Sequence, residues 1–267
     1  MSPAQLSYPE DQAIGIEGQL ADQSNNDVLS RSAEDTLIPF GRVIVLGTNK
    51  DKQGRLPNQA VDITDANKIL GISLHSHARE SSKDALINGY KNEDTISVLH
   101  KGRVYMAAEQ AITPESNIFI RFSGKKQTQT IVWDGDFVTG NNVDGSINGI
   151  AITTVAFNTD QATTIAAVAA AIKAASNDIE SAAVTGAREI TVISISDKEV
   201  EIGDFVVSAG ASQADEVVTE TVALVLESDR GKIRADADGS TAAQLSKARV
   251  LSSAVAPGDI VVLELDL

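Results

Sequence analysis

Residues 95–124 read TISVLHKGRVYMAAEQAITPESNIFIRFSG, and their pattern decides the fold. Ile118, Ile120 and Phe122 alternate with Phe119 and Arg121, the period-two signature of a strand with one face buried. Residues 95–109 carry Val, Ile, Leu and Tyr on both sides of Lys101–Gly102, which reads as a hairpin turning at that pair. Moving outward, ILGISLHSHA (69–78) places Ile72, Leu74 and Ser76 on one face and Ser73, His75 and His77 on the other. IPFGRVIVLG (38–47) is a β-branched run ending at Gly47, and NKDKQGRLPN (49–58) is turn chemistry. Short strands with turns at close intervals predict a mainly β barrel or sandwich.

A faint internal echo extends that sheet to the C-terminal region. Arg103–Val104, Ala111-Ile-Thr-Pro114 and Ile118-Phe-Ile match Arg249–Val250, Ala254-Val-Ala-Pro257 and Ile260-Val-Val. Both read as strand, Ala/Pro connection, strand, so residues 228–267 are expected to complete the host domain.

Charge marks what lies between. Of 267 residues, 42% are hydrophobic, enough to bury a core, and the net charge is −15. Residues 1–128 hold 14 basic and 16 acidic side chains, residues 129–227 hold 3 and 15, and residues 228–267 hold 5 and 6. One internal segment therefore carries −12 of the −15, and all six prolines lie outside it. The expected organisation is an N-terminal extended arm (1–37), a β-rich host domain (38–128 plus 228–267) and an inserted acidic α+β domain (129–227). Within the insert, SINGIAITTVAF (146–157) reads as a hairpin turning at Asn148–Gly149. TDQATTIAAVAAAIKAA (159–175) reads as a helix capped by Thr159 or Asp160, with Ile165, Val168 and Ile172 as its apolar stripe. Strands are expected over 181–186, 189–196 and 205–210.

Function classes narrow by what the residues cannot do. There is no Cys, which removes disulfides, thiolate metal sites and a thiol nucleophile. The negative charge argues against a phosphate-backbone partner, because counterion release needs clustered Lys and Arg. No apolar run approaches the roughly 20 residues of a membrane span, and Met1–Glu10 lacks the basic and apolar regions of a secretory signal. His75 and His77 have ligand spacing but no obvious third ligand. Asp236, Asp238 and Gly239, like Asp134 and Asp136, resemble fragments of a calcium loop without its closing Glu, so turn formation is the expected role. Lys125–Lys126 in SGKK lacks the rest of a phosphate loop and reads as a solvated linker. No nucleophile elbow occurs, so no catalytic residue, metal site or cofactor site is assigned.

The arm leaves two readings open. It is polar, yet carries Leu6, Ile14, Ile16, Leu20, Val28 and Leu29. A frayed terminus is one reading; the other is an extended segment that orders against a partner and inserts those aliphatic side chains into its surface.

Three stretches resemble the structural cement proteins that decorate the heads of tailed bacteriophages. Residues 13–47 share a polar lead, a Gly-x-x-Ala-Asp element and a run into a Gly-Arg strand; residues 69–124 share a Gly-aliphatic strand before Lys-Gly-Arg-Val; residues 231–267 share a Gly-Lys-Ile-Arg opening and a final strand. The helix-bearing stretch of the insert resembles a module of phage head and tail proteins. The resemblance implies a homotrimer, made in the host cytoplasm, on the outer surface of the virion's capsid. It would hold neighbouring major capsid protein subunits through the arm and the barrel base, with no enzymatic activity, cofactor, nucleic acid or membrane. The alternative is a head- or tail-attached adhesin whose insert binds host glycans through Trp133.

Overall fold

The computed structural model describes residues 15–22, 25–48, 53–76, 88–210 and 214–267. The chain divides into two compact units, residues 1–123 with 228–267, and residues 124–227.

The first unit is built on a closed five-stranded barrel. In chain order its strands are β1 (Asp27–Ala33), β2 (Leu37–Pro39), β3 (Val43–Leu46) and β4 (Gln53–Arg55); after the short helix α1 (Ala60–Thr64) come β5 (Ile69–Ser73), β6 (Gly89–Lys91), β7 (Thr95–Ala107) and β8 (Phe119–Arg121). The hydrogen-bonded order β1-β4-β3-β5-β7 closes because β1 also pairs with β7. Closure removes free edges from these five strands. Ala33, Ile44, Leu70, Ile96 and Val98 supply one apolar cluster from four of them. The fifth, β4, supplies Gly54, where a Cβ would sit 2.7 Å from Ile44 Cγ2, so this narrow ring has no room for a side chain there.

The expected hairpin at Lys101–Gly102 is not formed. β7 runs straight through it for 13 residues. Its first half pairs with β1, from Thr95↔Ser32 to Lys101↔Asp27, and its second half pairs with the last strand of the chain. Gly102 marks the changeover: its φ of 133° is open to glycine, and a Cβ would meet Asn26 Oδ1 at 2.1 Å. The strand continues through the glycine between β1 on one half and the last strand on the other, with β5 as a third partner, instead of reversing.

The arm expectation also changes. Residues 27–33 are barrel strand β1, paired with both β4 and β7. The strand escapes a sequence reading because only Ala33 of its seven residues is buried.

The second unit holds β9 (Thr128–Trp133), β10 (Asn142–Asp144), β11 (Ser146–Ile147), β12 (Ile150–Ala151), β13 (Val155–Ala156), helix α2 (Gln161–Ala175), β14 (Ile179–Gly186), β15 (Glu189–Ser194), β16 (Val206–Ser208) and β17 (Glu216–Val222). A four-stranded sheet, β14-β15-β9-β17, and a three-stranded sheet, β13-β10-β16, enclose a core with α2. Ile165, Val168 and Ile172 are buried, and the Asp160 carboxylate accepts from the Thr163 N–H at 2.7 Å as N-cap. β11 and β12 form the tight hairpin, with Asn148 and Gly149 both at positive φ (52° and 73°) as its primed turn requires. The ends of the unit are tied together: Lys125 and Val225 exchange two backbone hydrogen bonds of 2.9 Å. Lys126 pairs with Glu180. Trp133 is 1% exposed and meets Phe137 and Phe205 edge-on, at 5.4 and 6.0 Å. It closes a core and offers no face to a sugar.

The chain then returns to the first unit as β18 (Ile233–Arg234), β19 (Ala242–Gln244), β20 (Ala248–Val250) and β21 (Ile260–Asp266). β21 extends the barrel sheet along β7, burying Val261, Leu263 and Leu265 against Val104 and Met106. β8 lies between β18 and β19.

Candidate docking surface

Residues 15–22 are strapped along β7. The Gly18 N–H donates to Tyr105 O at 2.8 Å, the Tyr105 N–H to Gln19 O at 2.9 Å and the Ala21 N–H to Arg103 O at 3.0 Å. Leu20 lies opposite Val104, Asp27 opposite Lys101 and Ser32 opposite Thr95, so the strap and β1 both run antiparallel to β7. Gly18, at φ 82°, passes so close to Gly41 that a Cβ would meet its nitrogen at 2.8 Å. The Gly-x-x-Ala-Asp element of the sequence is this strap, and its Asp22 pairs with Arg103 at 3.3 Å.

An ion pair holds the strap's beginning. Glu17 pairs with Arg42, whose side chain is 7% exposed and whose Nη1 also donates to Phe40 O at 3.3 Å. Burial lowers the Arg42 guanidinium to a pKa of about 10, against the upward pull of Asp229 and Glu109. It therefore stays charged at neutral pH and needs its carboxylate.

A second buried arginine cluster fastens the base of the β7–β8 connection. Arg121, on β8, donates from Nε and Nη2 to the two Glu109 oxygens at 2.7 Å each, from Nη2 to Asp238 at 2.7 Å, and from Nη1 to Thr241 Oγ1 at 3.0 Å and Ser123 O at 3.2 Å. All five guanidinium N–H groups are thereby used. Arg234 on β18 adds bonds to Glu109 (2.9 Å), Asp236 (2.7 Å) and Gln110 (3.0 Å). Asp236 and Asp238 thus serve as arginine partners around the turn at Gly239. Likewise Asp136 binds Arg188 at 2.7 Å, and Asp134 accepts from the Asp215 N–H at 2.9 Å.

The six candidate contact residues separate. Leu6 and Ile14 lie outside the described residues. Ile16 is 50% exposed at the start of the strap; Leu20 packs against the main core and is occupied there. Val28 (44% exposed) and the partly buried Leu29 belong to β1, not to an arm. The His75 ring packs against Phe40 at a tilt of 58°, with ring centroids 4.8 Å apart, His100 Nδ1 lies 3.0 Å from Leu70 O, and His77 is outside the described residues. Among the described residues no group of three or more His, Asp or Glu is placed to hold a metal. A cavity of about 400 Å³ between Asn25, Lys101, Arg103, Arg249, Glu264 and Asp266 is lined by charges that pair with one another, Lys101 with Asp266 at 2.8 Å and Arg103 with Glu264 at 3.0 Å. Of the six candidate contact residues, Ile16 and Val28 are thus the exposed aliphatic side chains among the described residues.

Sequence reasoning missed Glu17, Arg42 and Arg121, since a lone charge in a polar segment or on a strand gives no sign of burial. The available signal was the glycine at position 18, beside Glu17, which marks a close backbone approach.

Comparison with known proteins places these features. The model of a family described as structural cement protein (E217 gp24/Pam3 gp6) matches residues 4–196. A solved structure from Mycobacterium phage Patience is 16% identical, with 92% of this chain and 93% of that chain covered and a TM-score of 0.41. No curated protein matches.

Proposed function

Since the chain belongs to the phage structural cement protein family, we propose that it clamps neighbouring major capsid protein subunits as a homotrimer. The family places it on the exterior of the virion's capsid, in a structural role that binds capsid protein. The finer reading concerns how it holds on. A clamp that recognises only the assembled lattice stabilises that lattice by mass action. Three chains acting together raise the effective concentration of each contact, so modest interfaces sum to tight binding. Leu6 and Ile14, outside the described residues, and Ile16, exposed at the start of the strap, are the aliphatic side chains offered to the shell. The acidic segment 129–227 keeps decorated particles mutually repulsive. The chain works by adhesion, without catalysis.

The observation that carries this reading is the family match, which covers the strap, the barrel and most of the second unit. The test is co-sedimentation with expanded capsids lacking this chain, alongside light scattering of the free protein. A mass of three chains and saturable binding that weakens when residues 1–14 are deleted are expected. A stable monomer, or equal binding without residues 1–14, would refute the trimer or the arm respectively. The deletion stops at 14 because one to residue 36 would remove β1 and open the barrel.

A further inference from the structure

The two Ala-x-x-Pro connections that echo each other in the sequence meet in space. Ile112 and Ala254, both buried, exchange backbone hydrogen bonds of 3.0 and 2.9 Å, and this antiparallel bridge sets Ala111 opposite Val255. Each connection is fastened internally. Thr113 N–H donates to Ser116 Oγ at 3.1 Å, and the Asp259 carboxylate accepts from the N–H groups of Val255 and Ala256 at 2.8 and 2.9 Å. Gly258 N–H reaches back to Ala108 O at 2.8 Å. At the base, Glu109 and Gln110 are gripped by the buried arginines.

On this frame Ala111, Pro114, Val255, Ala256 and Pro257 face outward, and Val255 is 85% exposed. In a chain of net charge −15, the exposed residues of both connections include a single charged side chain, Glu115. Rigid, apolar and almost uncharged is a combination that favours docking: ordering costs are already met by the hydrogen bonds, and little charge need be desolvated.

We infer that this paired-loop lobe is a docking knob that inserts Val255 into an apolar depression of the capsid protein lattice. It rests on the cement reading above and adds a contact surface separate from the N-terminal region. Capsid protein is the occupant because binding it is what the family does.

The test compares the full chain with Val255→Asp, Val255→Ser and, as a control at an exposed aliphatic residue of the second unit, Ile150→Asp. Affinity for expanded capsids is measured by co-sedimentation, mass by light scattering and folding by thermal melting. Val255→Asp is expected to weaken capsid binding at least about tenfold, the scale of a lost central contact. Val255→Ser should weaken it less, with mass and melting unchanged and Ile150→Asp binding normally. Should the aspartate disturb Asp259 and lower the melting temperature, the serine variant decides. Both variants binding within about twofold of the parent would overturn the inference. So would a fall in mass with capsid affinity retained, which would make the knob a contact between copies of the chain. Failure of the parent itself to bind capsids would instead refute the cement reading, and the inference with it.

Discussion

Replacing Glu17 by Gln removes the counter-charge from Arg42 while keeping the size of the side chain. Glutamine still accepts from the charged guanidinium, a bond of about 1.5–3 kcal/mol, so the exchange removes the ion pair and keeps a hydrogen bond. The guanidinium left behind is 7% exposed, and breaking a fully buried pair costs about 3–5 kcal/mol. Glu17 is 28% exposed, and Asp229 and Glu109 still act on Arg42, so the expected loss is about 1.5–2.5 kcal/mol, below that range. It falls first on the strap. Amide hydrogen exchange at Gly18 and Ala21, which donate to Tyr105 O and Arg103 O, should accelerate roughly ten- to seventyfold. Adding Arg42→Met should recover much of the loss in urea unfolding, since no uncompensated charge remains. If Glu17→Gln left both amides protected and stability within about 0.5 kcal/mol of the parent, Arg42 would not depend on Glu17 and the latch would be refuted.

Other consequences are more local. Asp160→Ala should destabilise the second unit by about 1 kcal/mol in thermal melts, through loss of the bond to the Thr163 N–H at the start of α2. Gly102→Ala should cost more than about 1 kcal/mol in urea unfolding, because an L side chain is strained at φ 133° and its Cβ collides with Asn26. Stability should fall as the solution is acidified. Burial alone would raise the Asp62 and Asp236 carboxyls, but hydrogen bonds from Arg55 and the Asn58 N–H to the first, and from Gln110 and Arg234 to the second, hold both below the usual range. Hydrogen bonds from Arg249 and Arg103 do the same for Glu264. Their stabilisation is fully present above the ordinary carboxylate range near pH 4 and is lost as pH falls through the lowered folded values, so Asp62→Asn should flatten the acid limb of the denaturation profile.

Elements legible in the sequence share short range. Helix 161–175 declares itself by apolar residues three and four apart behind a capping aspartate, and the Asn148–Gly149 turn by two residues that tolerate positive φ. β3, β5 and β8 follow from β-branched and alternating runs. The readings that failed required distant partners. Lys101–Gly102 has the composition of a turn, and nothing nearby says that β1 and β21 will both claim the strand around it. β1 itself, DVLSRSA, lacks a buried stripe because pairing on both edges holds it in place.

Composition and local pattern were therefore enough to indicate a mainly β chain, barrel or sandwich, with a helix-bearing acidic stretch, while the structural cement proteins entered through a resemblance of three stretches. Tertiary structure alone decided which strand closes the ring, which arginines vanish into the interior and where Val255 is held out on paired loops. Propensity and capping act between residues a few positions apart, whereas strand pairing and the desolvation of charge are settled by contacts that span the chain, such as Arg42 with Glu17 and Arg121 with Asp238.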